Sequence, residues 1–302
     1  MKIKVIGCGN AFSHKNGNQS FLITANDDNG EEKNMLVDCG TRIPVSLYQQ
    51  QIDLKSIDAI YISHAHGDHV GGLEEIAFLR YDWANRPRHH SEGEYAPKLI
   101  ANKNLMQELW DNTLSGGLSS MEGFDANLET FFEIMPIEPN RKFVWCGWTF
   151  SLVQQVHIMT GSIIKNTFGL FIEKEGFESI YFTTDCQYFQ PKQVMEFYKR
   201  ATYVFQDCEC TGVDTFNREM KFASGVHANF AELAGWKSAN ATILPDDIKS
   251  KLILSHYQDF VSDGYDMYGN NCDWQELAYD VGFKGFAYVG QIIELKEKNK
   301  GD

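Results

Sequence analysis

Four apolar residues, Ala59-Ile60-Tyr61-Ile62, run directly into Ser63-His64-Ala65-His66-Gly67-Asp68-His69, so a buried strand ends on three imidazoles and a carboxylate. Crowded imidazoles add nothing to packing, whereas imidazole nitrogen and carboxylate oxygen together suit zinc, manganese or iron. Neighbouring side chains of so tight a loop diverge, and they supply only part of two coordination shells. The remaining donors must come from distant sequence. His157 in FSLVQQVHI, Asp185 in SIYFTTD and His256 in KLILSHY each follow a predicted strand. Stacked sheets that bring these strand ends to one rim meet the demand. Taken singly, each of the three has a plainer reading, as a hydrogen-bonded histidine or a turn-capping aspartate.

The rest of the pattern agrees with a layered domain. Strands are expected at KIKVIG, SFLITA, NMLVDCG and IDAIYIS, with a short helix at VSLYQQQ. A helix follows from Val70, with Leu73, Ile76, Ala77 and Arg80 on one face. Then come an irregular stretch at 85–97, strand PKLIA, helix NLMQELWDNTL and the Gly/Ser-rich SGGLSSMEGF. Strands resume through KFVWCGWTFSLVQQVHI, NTFGLFIEKE and SIYFTTD. After them, helices QPKQVMEFYKRA, HANFAELAGWKSAN and DWQELAYDV alternate with strands TYVFQDCE, KLILSHY, FKGFAYVG and IIEL. With no repeat and no Pro/Ser linker, residues 1–302 read as one α+β domain. Residues 84–132 form an insert that would act as a lid or a dimer element.

Composition narrows the function. A chain of 302 residues with 43 % apolar residues can bury a sizeable core. Its formal net charge of −14 repels phosphate backbones and weighs against a large nucleic-acid partner. Seven cysteines form neither a CxxC pair nor a disulfide framework and read as buried thiols of a reducing compartment. Without a signal-like start or a run of roughly 20 apolar residues, a soluble, cytoplasmic protein with no membrane partner is expected.

HAHGDH, preceded by LVDCG (36–40) and followed by His157, TTD (183–185) and SHY (255–257), resembles the metallo-β-lactamase superfamily over nearly the whole chain. The resemblance implies a four-layer αββα sandwich with its site at the sheet edges and two divalent ions, Zn2+ first, with Mn2+ or Fe2+ as alternatives. By position, His64, His66 and His157 take one ion, Asp68, His69 and His256 the other, and Asp185 bridges them. Asp38 matches an early aspartate that supports the ligands; its other reading is a turn residue before Gly40.

TYVFQDCECTG followed by SGVHANFAELAGW resembles the ribonuclease Z-like branch. There the resemblance makes His227 the group that contacts phosphate and protonates the leaving oxygen, oriented by Asp207, or second by Glu209. The plainer reading has His227 simply opening a helix. Members that process transfer RNA carry a long arm between the third histidine and the bridging aspartate. Here that interval is 185 − 157 = 28 residues, room for two strands and a turn. The resemblance therefore shifts to the branch's cyclic-nucleotide phosphodiesterases, among them anti-Pycsar proteins that degrade cyclic pyrimidine monophosphates, commonly as homodimers. The expected catalytic set is Asp68, His227 and Asp207, acting on a small nucleotide. Rival readings are an RNA 3′-end endonuclease, a thioester or lactone hydrolase, and a metal-binding protein without turnover.

Substrate contacts are expected from Arg86 and Arg88, with His89 and His90, against phosphate, and from Tyr257 stacking a base. The plainer readings are a solvated charge run and a core aromatic. Trp145 and Trp148 are expected to pack in the core or at its rim.

Overall fold

The computed structural model describes residues 1–85, 96–139, 141–187, 192–236 and 244–298. Two seven-stranded sheets lie face to face. Across the first, the order is Ile292–Glu294, Lys2–Gly7, Ser20–Asn26, Glu32–Val37, Ala59–Ile62, Lys98–Asn102 and Glu133–Ile137. Across the second, it is Gly285–Phe286, Leu252–Ser255, Tyr203–Asp207, Ile180–Phe182, Ile163–Glu173, Trp148–Thr160 and Lys142–Trp145.

The alternation of the strands assigns the layers. Phe21, Ile23, Met35, Val37, Ala59 and Tyr61 point between the sheets. Their neighbours Leu22, Leu36, Ile60 and Ile62 point outward, onto Ile43 and Leu47 of helix Ile43–Gln49 and Leu73 and Ile76 of helix Leu73–Asn85. Across the inner interface Phe21 meets Phe182 and Phe205 at ring-centroid distances of 4.6 and 4.5 Å. On the far side, Tyr198 of helix Lys192–Arg200 stands edge-on to Tyr181 at 5.3 Å. Helix, sheet, sheet, helix is the four-layer αββα order, and each buried ring contributes about 1.5–3 kcal/mol relative to exposure.

Strand direction then positions the site. Val37 pairs with Tyr61 and Ile62 with Ala101 in parallel, and so do Phe182 with Phe205 and Asp207 with Ser255. Parallel neighbours end on the same side, so the residues after Val37, Ile62, Phe182, Tyr203–Asp207 and Ser255 share one rim.

Several expected elements are shorter or different. The helix expected across HANFAELAGWKSAN is Phe230–Ala234, because the Asn229/Glu232 capping box starts it late and Gly235, at φ 78°, ends it. His227 therefore lies in the loop before the cap. The strand expected across FKGFAYVG reduces to Gly285–Phe286. SGGLSSMEGF has structure of its own: Ser115–Leu118 is helical, Ser120–Met121 pairs with Phe124–Asp125, and Leu114 and Leu118 are buried in the outer core. Trp148 is buried against Phe177, and Trp145 is half-buried beside the core. Arg86, Arg88, His89 and His90 lie outside the described residues. Among the described residues, no helix is long and apolar enough to cross a membrane.

Candidate metal centre

Four positions at the rim have unusual backbone. The hairpin of Trp148–Thr160 with Ile163–Glu173 slips register between Val156 and Ile158, so His157 stands at a bulge, a device that re-aims a side chain. Asp38, Thr184 and His256 have φ of 60°, 54° and 66°, each just past a strand and each beside or at a donor. Left-handed backbone at a non-glycine residue costs about 1–3 kcal/mol, and such residues gather where function over-determines them. Hydrogen bonds hold two of them: Asp38 N donates to Tyr61 O at 2.8 Å and His256 N to Cys8 O at 2.7 Å. Gly40 is required for a different reason, since a Cβ there would lie 1.9 Å from Asp68 O. The LVDCG segment thus packs directly on the histidine loop, with Cys39 N donating to His69 O at 2.7 Å.

The donors form two clusters that share Asp185. In the first, His66 Nδ1 lies 3.1 Å from both His64 Nε2 and His157 Nε2, and Asp185 Oδ2 lies 3.7 and 3.6 Å from those same Nε2 atoms. In the second, Asp185 Oδ1 is 3.1 Å from His69 Nε2 and 3.3 Å from His256 Nε2, while Asp68 Oδ2 is 3.3 Å from each. Ligands about 2.0–2.1 Å from a tetrahedral ion sit about 3.3 Å from one another, so these spacings match donors converging on a cation. His69 Nε2 and Asp185 Oδ1 are buried without a hydrogen-bond partner, an arrangement that a shared ion would satisfy. The donor set fits a divalent metal on both counts.

Neighbouring groups fix which imidazole nitrogen faces inward. Asp38, 1 % exposed, accepts from His69 Nδ1 at 2.8 Å and from Ser63 N and Oγ at 2.8 and 2.7 Å. Val226 O lies 2.9 Å from His157 Nδ1 and, being a carbonyl, can only accept. Each bond leaves Nε2 free for a metal. Burial pushes His64, His66 and His157 below the ordinary histidine value, which keeps them neutral as ligands must be. Burial also opposes the charge on His69 and His256, but Asp185 and its fellow carboxylates outweigh it and raise both. The same carboxylates would favour a bound cation.

Beside the clusters stands a third pair. His227 Nδ1 lies 2.9 Å from Asp207 Oδ2; a carboxylate only accepts, so the imidazole donates. The same Oδ2 accepts from Cys186 N at 2.7 Å, and Asp207 Oδ1 lies 3.3 Å from His256 Nδ1. Burial disfavours the His227 cation, yet Asp207 outweighs it and holds the pKa above the usual value. Glu209 is not this partner: its Oε1 accepts from Ser224 N at 2.8 Å and braces the loop instead.

His66, Asp68, His157, Asp185, His227 and His256 line one cavity of about 370 Å³. Tyr257 does not join them. It is 3 % exposed, its hydroxyl donates to Ala287 O at 2.6 Å, and its ring meets Phe286 edge-on, so it cannot stack a base at the centre. His256 and Tyr257 are adjacent, yet one side chain faces the donors and the other the core. Residues 115–125 do not line this cavity either. Conversely, the loop GNAFSHKNGN, which joins Lys2–Gly7 to Ser20–Asn26, brings Asn10 and Phe12 to its edge. The available signal was an apolar ring among turn-forming polar residues.

An αββα sandwich with this histidine–aspartate rim is a metallo-β-lactamase fold. The chain belongs to the family described as Anti-Pycsar protein Apyc1, which matches residues 1–271. It is 30 % identical over 262 residues to Anti-Pycsar protein Apyc1 of Paenibacillus sp. (strain J14), covering 86 % of this chain and 90 % of that one. It is 28 % identical over 267 residues to the protein of that name from Bacillus phage BSP38, covering 87 % and 91 %. Among solved structures, the metallo-β-lactamase fold protein YhfI from Bacillus subtilis superposes with a TM-score of 0.63 at 18 % identity, over 97 % of this chain and 98 % of that one.

Proposed function

We propose that this protein is a dinuclear, metal-dependent phosphodiesterase that opens a cyclic mononucleotide, with the cyclic pyrimidine monophosphates as first candidates. The observation that carries the reading is the His227–Asp207 pair at 2.9 Å, opening onto the same cavity as the metal donors. A thiolate departs without a proton, whereas the alkoxide of a phosphodiester needs one. A positioned imidazole acid therefore favours phosphodiester over thioester chemistry.

His64, His66 and His157 would hold one ion and Asp68, His69 and His256 the other, with Asp185 between them. Two divalent ions so held, with zinc as first choice, would activate water for attack at phosphorus and offset charge on the non-bridging oxygens. The chain's own part is positional and protic. Asp38 and Val226 O keep Nε2 of His69 and His157 facing inward. As the P–O bond breaks, the His227 cation gives its Nε2 proton to the departing ribose oxygen, and the neutral ring keeps its Nδ1–H on Asp207. His227→Ala should retain metal and lose at least about 100-fold in rate, the low end for general acid catalysis.

Size and charge support a small substrate. A cavity of about 370 Å³ lies near the lower end of the roughly 300–1,000 Å³ typical of small-ligand sites. The 28-residue interval is taken up by the end of Trp148–Thr160, by Ile163–Glu173 and by Ile180–Phe182, so no tRNA-holding arm emerges there. The deciding assay offers cCMP, cUMP, cAMP, cGMP, cyclic dinucleotides and pre-tRNA, each with zinc and with manganese. Hydrolysis of a cyclic mononucleotide is the expected result. Cleavage of pre-tRNA alone would overturn the reading in favour of an RNA endonuclease.

A further inference from the structure

Phe12 is 83 % exposed, yet its backbone is tightly held. Phe12 N donates to Asn10 Oδ1 at 3.1 Å, Ser13 N to Asn10 O at 3.1 Å, and Asn10 N to Tyr257 O at 3.1 Å, one residue past the His256 ligand. The far side of the loop is pinned by His14 N donating to Asp259 Oδ2 at 2.8 Å. The loop is also close-packed, since a Cβ at Gly9 would lie 2.2 Å from Ser13 Oγ and 2.7 Å from Gly17 O. Among the described residues lining the metal-site cavity, Phe12 is the one ring that is not an imidazole. Tyr48 and Phe216, equally exposed, do not line it.

A large apolar side chain left in water normally turns inward when its loop is free to do so. Here the loop is fixed and the ring stays outside, at the mouth of a cavity whose floor is ionic. We propose that Phe12 is the nucleobase platform of this enzyme, stacking the base of a nucleotide whose phosphate sits at the metal donors. The inference rests on the phosphodiesterase reading above and adds the element that binds the base. An aromatic face stacks any base, so Phe12 provides affinity for nucleotides over base-less diesters and does not itself choose pyrimidine over purine.

The test compares the preferred cyclic mononucleotide with its base-less counterpart, the methyl riboside 3′,5′-cyclic phosphate, using wild type, Phe12→Ala and Phe12→Trp. Base–aromatic stacking corresponds to roughly 5- to 150-fold in binding, so the KM advantage of nucleotide over base-less substrate should shrink at least about 5-fold in Phe12→Ala. Phe12→Trp should keep it, and kcat on the nucleotide should stay within about twofold, the signature of lost uniform binding. Metal content and Tm of the variants check that the site is intact. Equal KM changes on both substrates, or an unchanged advantage in Phe12→Ala, overturn the platform while leaving the phosphodiesterase reading standing. A wild type that leaves every cyclic mononucleotide intact overturns both.

Discussion

Replacing Asp207 by asparagine is nearly isosteric and tests how the acid and the metal donors are coupled. The side chain is completely buried and makes opposed demands on an amide. Oδ2 accepts from both His227 Nδ1 and Cys186 N, while Oδ1 faces His256 Nδ1 at 3.3 Å. An amide oxygen placed at Oδ2 keeps two bonds but turns its NH2 toward His256 Nδ1; the flipped amide restores that contact and loses the other two. The first loses the ion-pair contact with His256, and the second also loses the charge-assisted bond to His227, worth about 1.5–3 kcal/mol, or roughly 10- to 150-fold. Groups that orient metal-binding histidines typically alter metal affinity by about 10–100-fold, so the ion at His256 should weaken by a similar factor.

The sign of the pH effect follows from His227. Burial disfavours its cation and Asp207 more than compensates, so the acid form persists above the ordinary histidine value. Activity that needs this proton is present at lower pH and is lost as pH rises through the His227 pKa. Without the Asp207 carboxylate charge, burial is opposed only by the smaller pull of Asp185, and that loss moves to lower pH. The assay is kcat against pH for wild type and Asp207→Asn at saturating metal, with metal content measured in parallel. An Asp207→Asn enzyme with the wild-type alkaline limb and full metal loading would refute the coupling.

Asp185→Ala removes a donor from both clusters and should abolish turnover with loss of metal. Chelation should lower Tm in wild type, by linkage worth about 2.7 kcal/mol when the metal is at 100 times its Kd, and should change the variant far less. Asp38→Ala leaves Ser63 N, Ser63 Oγ and His69 Nδ1 without their buried acceptor and should cost about 3 kcal/mol in urea unfolding, with impaired metal binding. Phe21→Ala, in the middle of the sheet interface, should cost about 3–5 kcal/mol and leave metal stoichiometry unchanged in the folded fraction.

Much of the centre is readable along the chain because ligation depends on residue type and strand ends announce themselves by hydrophobic runs. His64, His66, Asp68 and His69 fall in six residues, and the unbroken apolar runs Phe21–Leu22–Ile23 and Met35–Leu36–Val37 announce strands covered on both faces, although only the packing assigns which face is inner. Other features depend on where the chain goes next. Tyr257 adjoins a donor in sequence, but its hydroxyl is bonded to Ala287 O in the core. The bulge at His157 exists only in register with its partner strand, and Val226 O reaches that ring across 69 residues. Phe12 looks like part of a surface turn until Asn10 is pinned beside His256. Side-chain chemistry and two-residue periodicity are local properties, carried by the amino-acid sequence wherever it folds. Backbone carbonyls are the same in every residue, so which carbonyl meets which ring is decided when the two sheets pack and their parallel strands end on a common rim.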